Sequence, residues 1–349
     1  EGYTDASPFC SDGPRLDEFL AEMRREVFEG REGYMNVGEA PGITPARNEF
    51  ITDPAHKELD MLFLFDHVGI DQEGSKWNTV PFEVRNLRAR LAAQQEAVKD
   101  AGWASLFFCN HDQPRVVSRW GNDTDRESRE LSAKAFGMLL HMHRGTPYIY
   151  EGEELGMTNA HFTTLEQYRD LESINAYRQR VEEAKCQSPE SMMAALALIG
   201  RDNSRTPMQW DASRYAGFTA PDAATEPWIG VNPNHVEINA VEEFDDPESV
   251  YTFYKKLIAM RHNMPIIAVG DFSPMDAGND DVIAFQRHLE DTTIMVICNL
   301  SSKKATISES LRINDNKQQV LLSNYSTAHA FKSMHDGVLD PWEAITVQL

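Results

Sequence analysis

Two carboxylates in this chain stand where an acid is costly to place without a task. Glu39 ends the short apolar run Tyr34–Glu39 and is followed by Ala40-Pro41. Asp112 follows the run Trp103–Cys109 and the pair Asn110-His111, and precedes Gln113-Pro114. Moving a carboxylate out of water beside an apolar strand is unfavourable unless it is paired or hydrogen-bonded. Two acids converging on one mouth suit cleavage of a glycosidic bond. One protonates the leaving oxygen, and the other stabilises or attacks the sugar carbon as charge develops there. Spacing alone also fits two solvated loop acids or helix caps.

The elements that must position these acids alternate. A helical pattern over 13–30 has apolar residues at Leu16, Phe19, Leu20, Met23 and Val27, with Gly30 and Gly33 as its stop. The run Tyr34–Glu39 follows, then Met61–Val68, a helical pattern over about 81–99, and the run Trp103–Cys109. A helix over about 127–144 leads to the run Pro147–Tyr150, which ends in Glu151-Gly152-Glu153-Glu154. The runs are apolar without alternation, as parallel strands covered on both faces require. Polar and acidic residues gather after each run, the edge that carries active sites in strand–helix barrels. Four such units make half of an eight-stranded barrel. Residues 160–200 read as an irregular helical insertion, and a helix covers about 246–263. From about 266 the texture changes to Val282–Phe285, Thr293–Asn299, Gln319–Leu322 and Ala344–Leu349, separated by turn residues. The expected fold is α/β: half a (β/α)8 barrel over 1–265, then a small antiparallel β-sandwich over 266–349.

Composition narrows the function classes. The chain has 349 residues, with 33 Lys+Arg against 55 Asp+Glu, a net charge of -22. Nucleic-acid binding calls for a basic surface, so that class is excluded. No apolar run reaches the roughly 18 residues of a membrane helix. The four cysteines, Cys10, Cys109, Cys186 and Cys298, form no CxxC pair and read as small buried hydrophobes. His141 and His143 lie two apart on a helix and share no face. No metal and no cofactor is expected. An acidic cytoplasmic enzyme acting on a neutral substrate fits, although the chain opens on Glu1, so a leader sequence lies outside what it can reveal.

Longer motifs bring in a resemblance. The segment Phe108-Cys109-Asn110-His111-Asp112-Gln113-Pro114-Arg115, continuing to Gly121, resembles the fourth signature region of the α-amylase superfamily, glycoside hydrolase family 13. Its Asn-His-Asp-Gln-Pro-Arg form is similar to the oligo-1,6-glucosidase and α-glucosidase branch. Val37-Gly38-Glu39 resembles the third region, which holds the proton donor. The block Arg201–Asp211 resembles one typical of that branch, and Tyr150–Met157 the segment after the eighth strand. By this resemblance Glu39 is the general acid/base and Asp112 the transition-state-stabilising carboxylate. His111 would bind the same sugar hydroxyls as Asp112. Arg205 would grip the non-reducing-end glucose and favour exo-action on an α-glucosidic oligosaccharide.

The resemblance also implies a retaining mechanism with an Asp nucleophile in a Gly-x-Arg-x-Asp region well upstream of the acid/base. No such region stands before Glu39. Arg15-Leu16-Asp17 mimics part of it, but Asp17 falls in the first turn of a helix pattern, where the helix dipole favours an acid. The expectation is a C-terminal part of an enzyme, inactive alone, with an exposed seam whose partner is the missing N-terminal half of the barrel. Linkage preference, α-1,6 or α-1,4, would depend on that absent region.

Other readings remain. A sucrose isomerase or other glucosyl transferase would keep the fold. Sucrose isomerases resemble this chain but tend to carry Asn in place of Gln113 and an arginine-rich loop where Val68-Gly69-Ile70-Asp71-Gln72 stands here, so hydrolysis is favoured. A trehalose-6-phosphate hydrolase would need a basic phosphate site. A non-catalytic relative of the kind that serves as a transporter subunit, or an inactive fragment, completes the set. Intact Glu39 and Asp112 speak against decay.

Overall fold

The computed structural model describes residues 7–56, 58–313 and 318–349. Strand β1 (Val37–Glu39) pairs in parallel with β2 (Met61–Phe63), Val37 opposite Met61 and Glu39 opposite Phe63. A small antiparallel hairpin follows, β3 (Gln72–Glu73) and β4 (Ser75–Thr79). Strand β5 (Ser105–Leu106) lies beside β2 through a parallel bridge from Leu62 to Ala104. Strand β6 (Thr146–Pro147) pairs in parallel with β5, Ser105 opposite Thr146. The spatial order is therefore β1–β2–β5–β6. Each parallel step needs a crossover, and helices Pro45–Thr52, Val84–Ala97 and Arg126–Met142 lie in those connections. Gly38 permits the close approach of β1 to β2, because a Cβ there would meet the Leu62 side chain at 2.5 Å.

Helix Arg126–Met142 is the most deeply seated element. Asp125 caps it by accepting from the Ser128 N–H at 2.8 Å, and Glu127 in its first turn complements the helix dipole. Phe136, Met138, Leu139 and Met142 are all fully buried. Helix Val250–Asn263 packs across it, with the Tyr254 ring so close to Gly137 that a Cβ there would lie 2.7 Å away. Helices Leu171–Tyr177 and Pro189–Ile199 form a separate apolar cluster with Trp77, Phe162 and Tyr168.

The later strands are β7 (Asp271–Met275), β8 (Val282–Leu289), β9 (Thr292–Asn299), β10 (Ala305–Thr306), β11 (Gln319–Ser323), β12 (Val338–Leu339) and β13 (Ala344–Gln348). Five of them form one antiparallel sheet in the order β11-β13-β9-β8-β7. Its side chains alternate between two cores. Ile283, Phe285, Ile294, Val296 and Cys298 pack with helix Arg126–Met142. Val282, Ala284, Met295, Ile297, Ile345 and Val347 form the other core with Ala330, Met334 and Leu339. The all-β sandwich expected over 266–349 is corrected on this point. Its second layer is the two-residue β10–β12 ladder together with helix Thr327–Asp336. That helix escaped a strand-based reading because it is short and its buried face rests on only a few residues, among them Ala330, Ser333 and Met334.

One further expectation needs adjustment: Cys109 and Cys298 are buried, but Cys10 and Cys186 are exposed. His141 and His143 are both buried, and burial pushes each imidazole down to about 4, with Nδ1 bonded to the Gly137 and Leu139 carbonyls respectively. No helix among the described residues is long and apolar enough to cross a membrane.

Arg287 of β8 couples the sheet to the rest. Its guanidinium donates to the carbonyls of Met142 at 2.8 Å, Ile267 at 2.6 Å and Gly270, and burial lowers it to about 9. Beside it, Phe285 fills the core shared with helix Arg126–Met142. Phe285→Ala should therefore cost about 3–5 kcal/mol, read as a lower midpoint in urea unfolding. A second expectation concerns Glu153, buried beneath the ladder and bonded to the Tyr254 hydroxyl at 3.1 Å. Burial raises its carboxyl to about 7. The folded state thus keeps a proton that the unfolded chain releases near the ordinary glutamate range, and stability is lost as pH rises through about 7. Unfolding of Glu153→Gln at pH 5 and pH 8 should show the variant gaining on the parent at the higher pH.

Candidate active site

The carboxyl ends of the four parallel strands surround a cavity of about 290 Å³. Each strand, or the chain just beyond its carboxyl end, contributes side chains two residues apart: Val37 and Glu39, Phe63 and Phe65, Phe107 and Cys109, Tyr148 and Tyr150. This follows from the pleat, which sends alternate residues to one face. Aromatic rings line one part of the wall. Phe63 meets Phe107 edge-on at 5.3 Å between centroids and Tyr148 at 4.5 Å. Such rings offer apolar faces to the C–H faces of a ligand while leaving the polar contacts to a few groups. Burial raises the Tyr148 and Tyr150 hydroxyls above their ordinary range, so both remain protonated donors.

Glu39 closes β1 and lines this cavity together with Asn110 and His111. Asp112 is set one residue further along. Its backbone N–H donates to Asn110 Oδ1 at 2.7 Å, a tight side-chain turn. The carboxylate receives Arg205 Nη2 at 2.7 Å, while Arg205 Nε donates to the His111 carbonyl at 2.7 Å. One guanidinium thus holds both neighbours, a planar fork suited to that task. His111 Nε2 lies 3.8 Å from Asp112 Oδ1, and its ring is 63% exposed at the cavity. Arg205 Nη1 in turn faces Asp170 at 3.5 Å and Asp202 at 3.7 Å. Of the residues singled out from sequence, His111, Asp112 and Arg205 form one connected group, and Glu39 and His111 share the cavity wall.

Sequence reasoning missed the supports. Arg119 is buried and bidentate on Asp71, with Nε to Oδ2 at 2.7 Å and Nη2 to Oδ1 at 2.6 Å. The Trp120 indole donates to the same carboxylate at 2.9 Å, and Arg119 Nη1 holds the Gln113 side chain at 3.0 Å. Asp71 therefore anchors the far end of the loop that presents His111 and Asp112. Arg115 spans three segments. It donates to the Glu151 and Ser204 carbonyls and lies over the Tyr150 ring, 5.1 Å from its centroid. Beyond Asp112, Arg201 Nε lies 3.6 Å from its carboxylate and 2.9 Å from Glu172, which also pairs with Lys76 at 2.6 Å. Beneath the wall, His67 Nε2 bonds the Phe107 carbonyl at 3.0 Å, and burial pushes this imidazole down to about 4, so it is neutral. The available signal was the spacing of two at each strand end, which picks out Phe63/Phe65 and Tyr148/Tyr150. The anchoring role of Asp71 carried no sequence signal, since its partner lies 48 residues away.

At this cavity the described residues form no cluster of three or more metal-ligating side chains; the grouping with such geometry lies in the C-terminal region. The site offers one exposed carboxylate on a strand end, a second held by arginine beside a histidine, and aromatic walls. That inventory can transfer a proton and stabilise developing positive charge without a metal.

Comparison with known proteins gives this geometry a family. Residues 1–270 match the model of the α-amylase catalytic domain. The chain is 42% identical to the oligo-1,6-glucosidase of Parageobacillus thermoglucosidasius over 98% of its own length and 59% of that protein. It superposes on the crystal structure of trehalose-6-phosphate hydrolase from Bacillus licheniformis with a TM-score of 0.87 and 38% identity, covering all of this chain and 61% of the other. A trehalulose synthase structure, the D415N mutant bound to Tris, gives a TM-score of 0.85 at 35% identity, over 96% of this chain and 59% of that one. The chain thus spans about three-fifths of the length of the relatives it matches. A parallel ladder with acids at its carboxyl edge, a C-terminal β-sheet, and this extent of similarity agree: the chain belongs to the α-amylase catalytic-domain family of glycoside hydrolases.

Proposed function

We propose that this chain carries the acid/base and the stabilising carboxylate of a retaining glycosidase that releases glucose from the non-reducing ends of α-glucosidic oligosaccharides. The observation that supports this reading most strongly is the Arg205–Asp112–His111 group beside the cavity that Glu39 lines. In this reading Glu39 donates a proton to the leaving oxygen and then takes one from water. Asp112 is held by Arg205 so that one carboxylate oxygen is directed and the other is left for sugar hydroxyls. His111 adds a donor on the same side. The four parallel strands are read as the second half of a (β/α)8 barrel over residues 1–265, with residues 266–349 as a C-terminal domain.

The nucleophile in this proposal is an aspartate supplied from outside residues 1–349. Asp17, the nearest mimic by sequence, sits in the first turn of helix Leu16–Met23 and pairs with Arg47 Nη2 at 2.5 Å. It does not line the cavity.

A neutral glucoside is favoured over a phosphorylated one by the charge pairing. Arg201 and Arg205 lie against Asp112 and Lys76 against Glu172, and each of the three is engaged by Glu172, Asp112, Asp170 or Asp202. A phosphate would have to displace those carboxylates.

The test is glucose release from p-nitrophenyl α-glucoside. Residues 1–349 alone should release none, whereas the chain combined with the segment that precedes it in its relatives should be active. In that active form Glu39→Gln should lower kcat by about 10²–10⁴. Release by residues 1–349 alone that disappears in Glu39→Gln would overturn the external nucleophile and keep the acid/base. Release unaffected by Glu39→Gln would overturn the whole reading. In the same assay Arg205→Met should lower kcat/KM by about 100-fold through a misplaced Asp112.

A further inference from the structure

Far from the cavity, three potential ligands converge where helix Thr327–Asp336 meets the turn before β13. His329 Nε2 lies 3.0 Å from Asp340 Oδ2 and 3.7 Å from Glu343 Oε1. All three ligand atoms fall within 4.8 Å of one another. At 3.0 Å the imidazole and the Asp340 carboxylate are in direct contact, although their alignment falls short of good hydrogen-bond geometry. Glu343 is fully buried, and its Oε1 has no partner in good hydrogen-bond geometry, although Ser333 lies beside the carboxylate. An unpartnered buried carboxylate oxygen is among the costlier features a fold can keep.

We infer that His329, Asp340 and Glu343 form a binding site for a divalent transition metal ion with the size and coordination habits of zinc. A tetrahedral zinc ion with nitrogen and oxygen ligands at about 2.0–2.2 Å places those ligand atoms about 3.4 Å apart. The two spacings from His329, 3.0 and 3.7 Å, bracket that value, and the carboxylate oxygens lie within 4.8 Å of each other. One imidazole with two carboxylates is a set for zinc or its first-row neighbours; calcium and magnesium favour oxygen alone. The surroundings orient each ligand as outer partners of metal sites do. Lys304 Nζ holds Asp340 Oδ1 at 2.7 Å, and the Asp340 N–H donates to Glu343 Oε2 at 2.7 Å. The Tyr325 ring stacks on His329 at 4.6 Å, fixing the imidazole plane. The ion would pin helix Thr327–Asp336 to the turn that starts β13, a structural clip with its fourth position open to water. It departs from the metal-free expectation drawn from sequence, where no ligand spacing of a familiar kind was visible.

The competing account is a metal-free ion pair, with protonated His329 between two carboxylates. Chelator-treated full-length chain, titrated with zinc chloride in a calorimeter, separates the two. The inferred site takes up one zinc per chain, raises the unfolding temperature, and releases the ion to EDTA. Cobalt(II) at the same site gives the intense visible bands of tetrahedral coordination. His329→Gln and Glu343→Gln should each weaken binding by about 100-fold or more, while His335→Gln, at an exposed histidine on the same helix, should not. His329 is one-third exposed, so its variant keeps the fold even where the buried Glu343 variant does not. No saturable binding, binding that survives His329→Gln, or binding abolished by His335→Gln would each overturn the inference.

Discussion

The placement of the candidate site rests on one buried ion pair, Arg119 with Asp71. Both side chains are almost wholly removed from water, at 2% and 4% exposure. Desolvating two charges is costly, and their attraction repays that only when the geometry is good and the remaining hydrogen-bonding positions are filled. Here they are filled. The guanidinium reaches both oxygens of Asp71, the Val68 carbonyl and Gln113, while Trp120 completes the carboxylate. Such a pair has few alternative arrangements. It therefore fixes where the loop 110–120 leaves the ladder, and with it the positions of His111 and Asp112.

The same device recurs wherever irregular chain crosses the molecule. Loops cannot be buried without partners for their carbonyls. Arg115 bonds the Glu151 and Ser204 carbonyls, Arg261 bonds those of His141, His143 and Gly145, and Arg287 bonds those of Met142, Ile267 and Gly270. Several of these carbonyls belong to the end of helix Arg126–Met142 or the residues just after it, where the helix dipole favours a cation. In an acidic chain these arginines are internal fasteners rather than a basic surface. Net charge alone argued against a nucleic-acid face, but it could not show that arginines such as Arg115, Arg119 and Arg287 point inward.

What the sequence made legible follows from range. Apolar runs and helical periodicity are local, so the four parallel strands and the long helices were readable, with strands shorter than their runs. The run Trp103–Cys109 yields only Ser105–Leu106 as paired strand, and beyond it Phe107 and Cys109 line the cavity. Glu39, His111, Asp112 and Arg205 were found by motif. The arginine anchors were not, since their partners are backbone carbonyls, which every residue has. Helix Thr327–Asp336 was missed for a different reason: its capping residue Ser326 follows Asn324-Tyr325, which reads equally well as a turn between strands.

The sheet of β7–β9, β11 and β13 shows why the ladder and the C-terminal region are not independent parts. A sheet solvated on one face reads as alternating apolar and polar residues. This one is apolar at consecutive positions along β8 and β9, because one face meets helix Arg126–Met142 and the other encloses its own core. Removing the C-terminal region would uncover Met138, which Thr346 of β13 contacts at 3.4 Å, on the helix that connects β5 to β6. The loop bearing His111 and Asp112 leads into that helix through the cap at Asp125. The sheet thus acts on the site through packing: it sets where the helix lies, the helix sets where β6 emerges, and β6 places Tyr148 and Tyr150 across the cavity from Glu39.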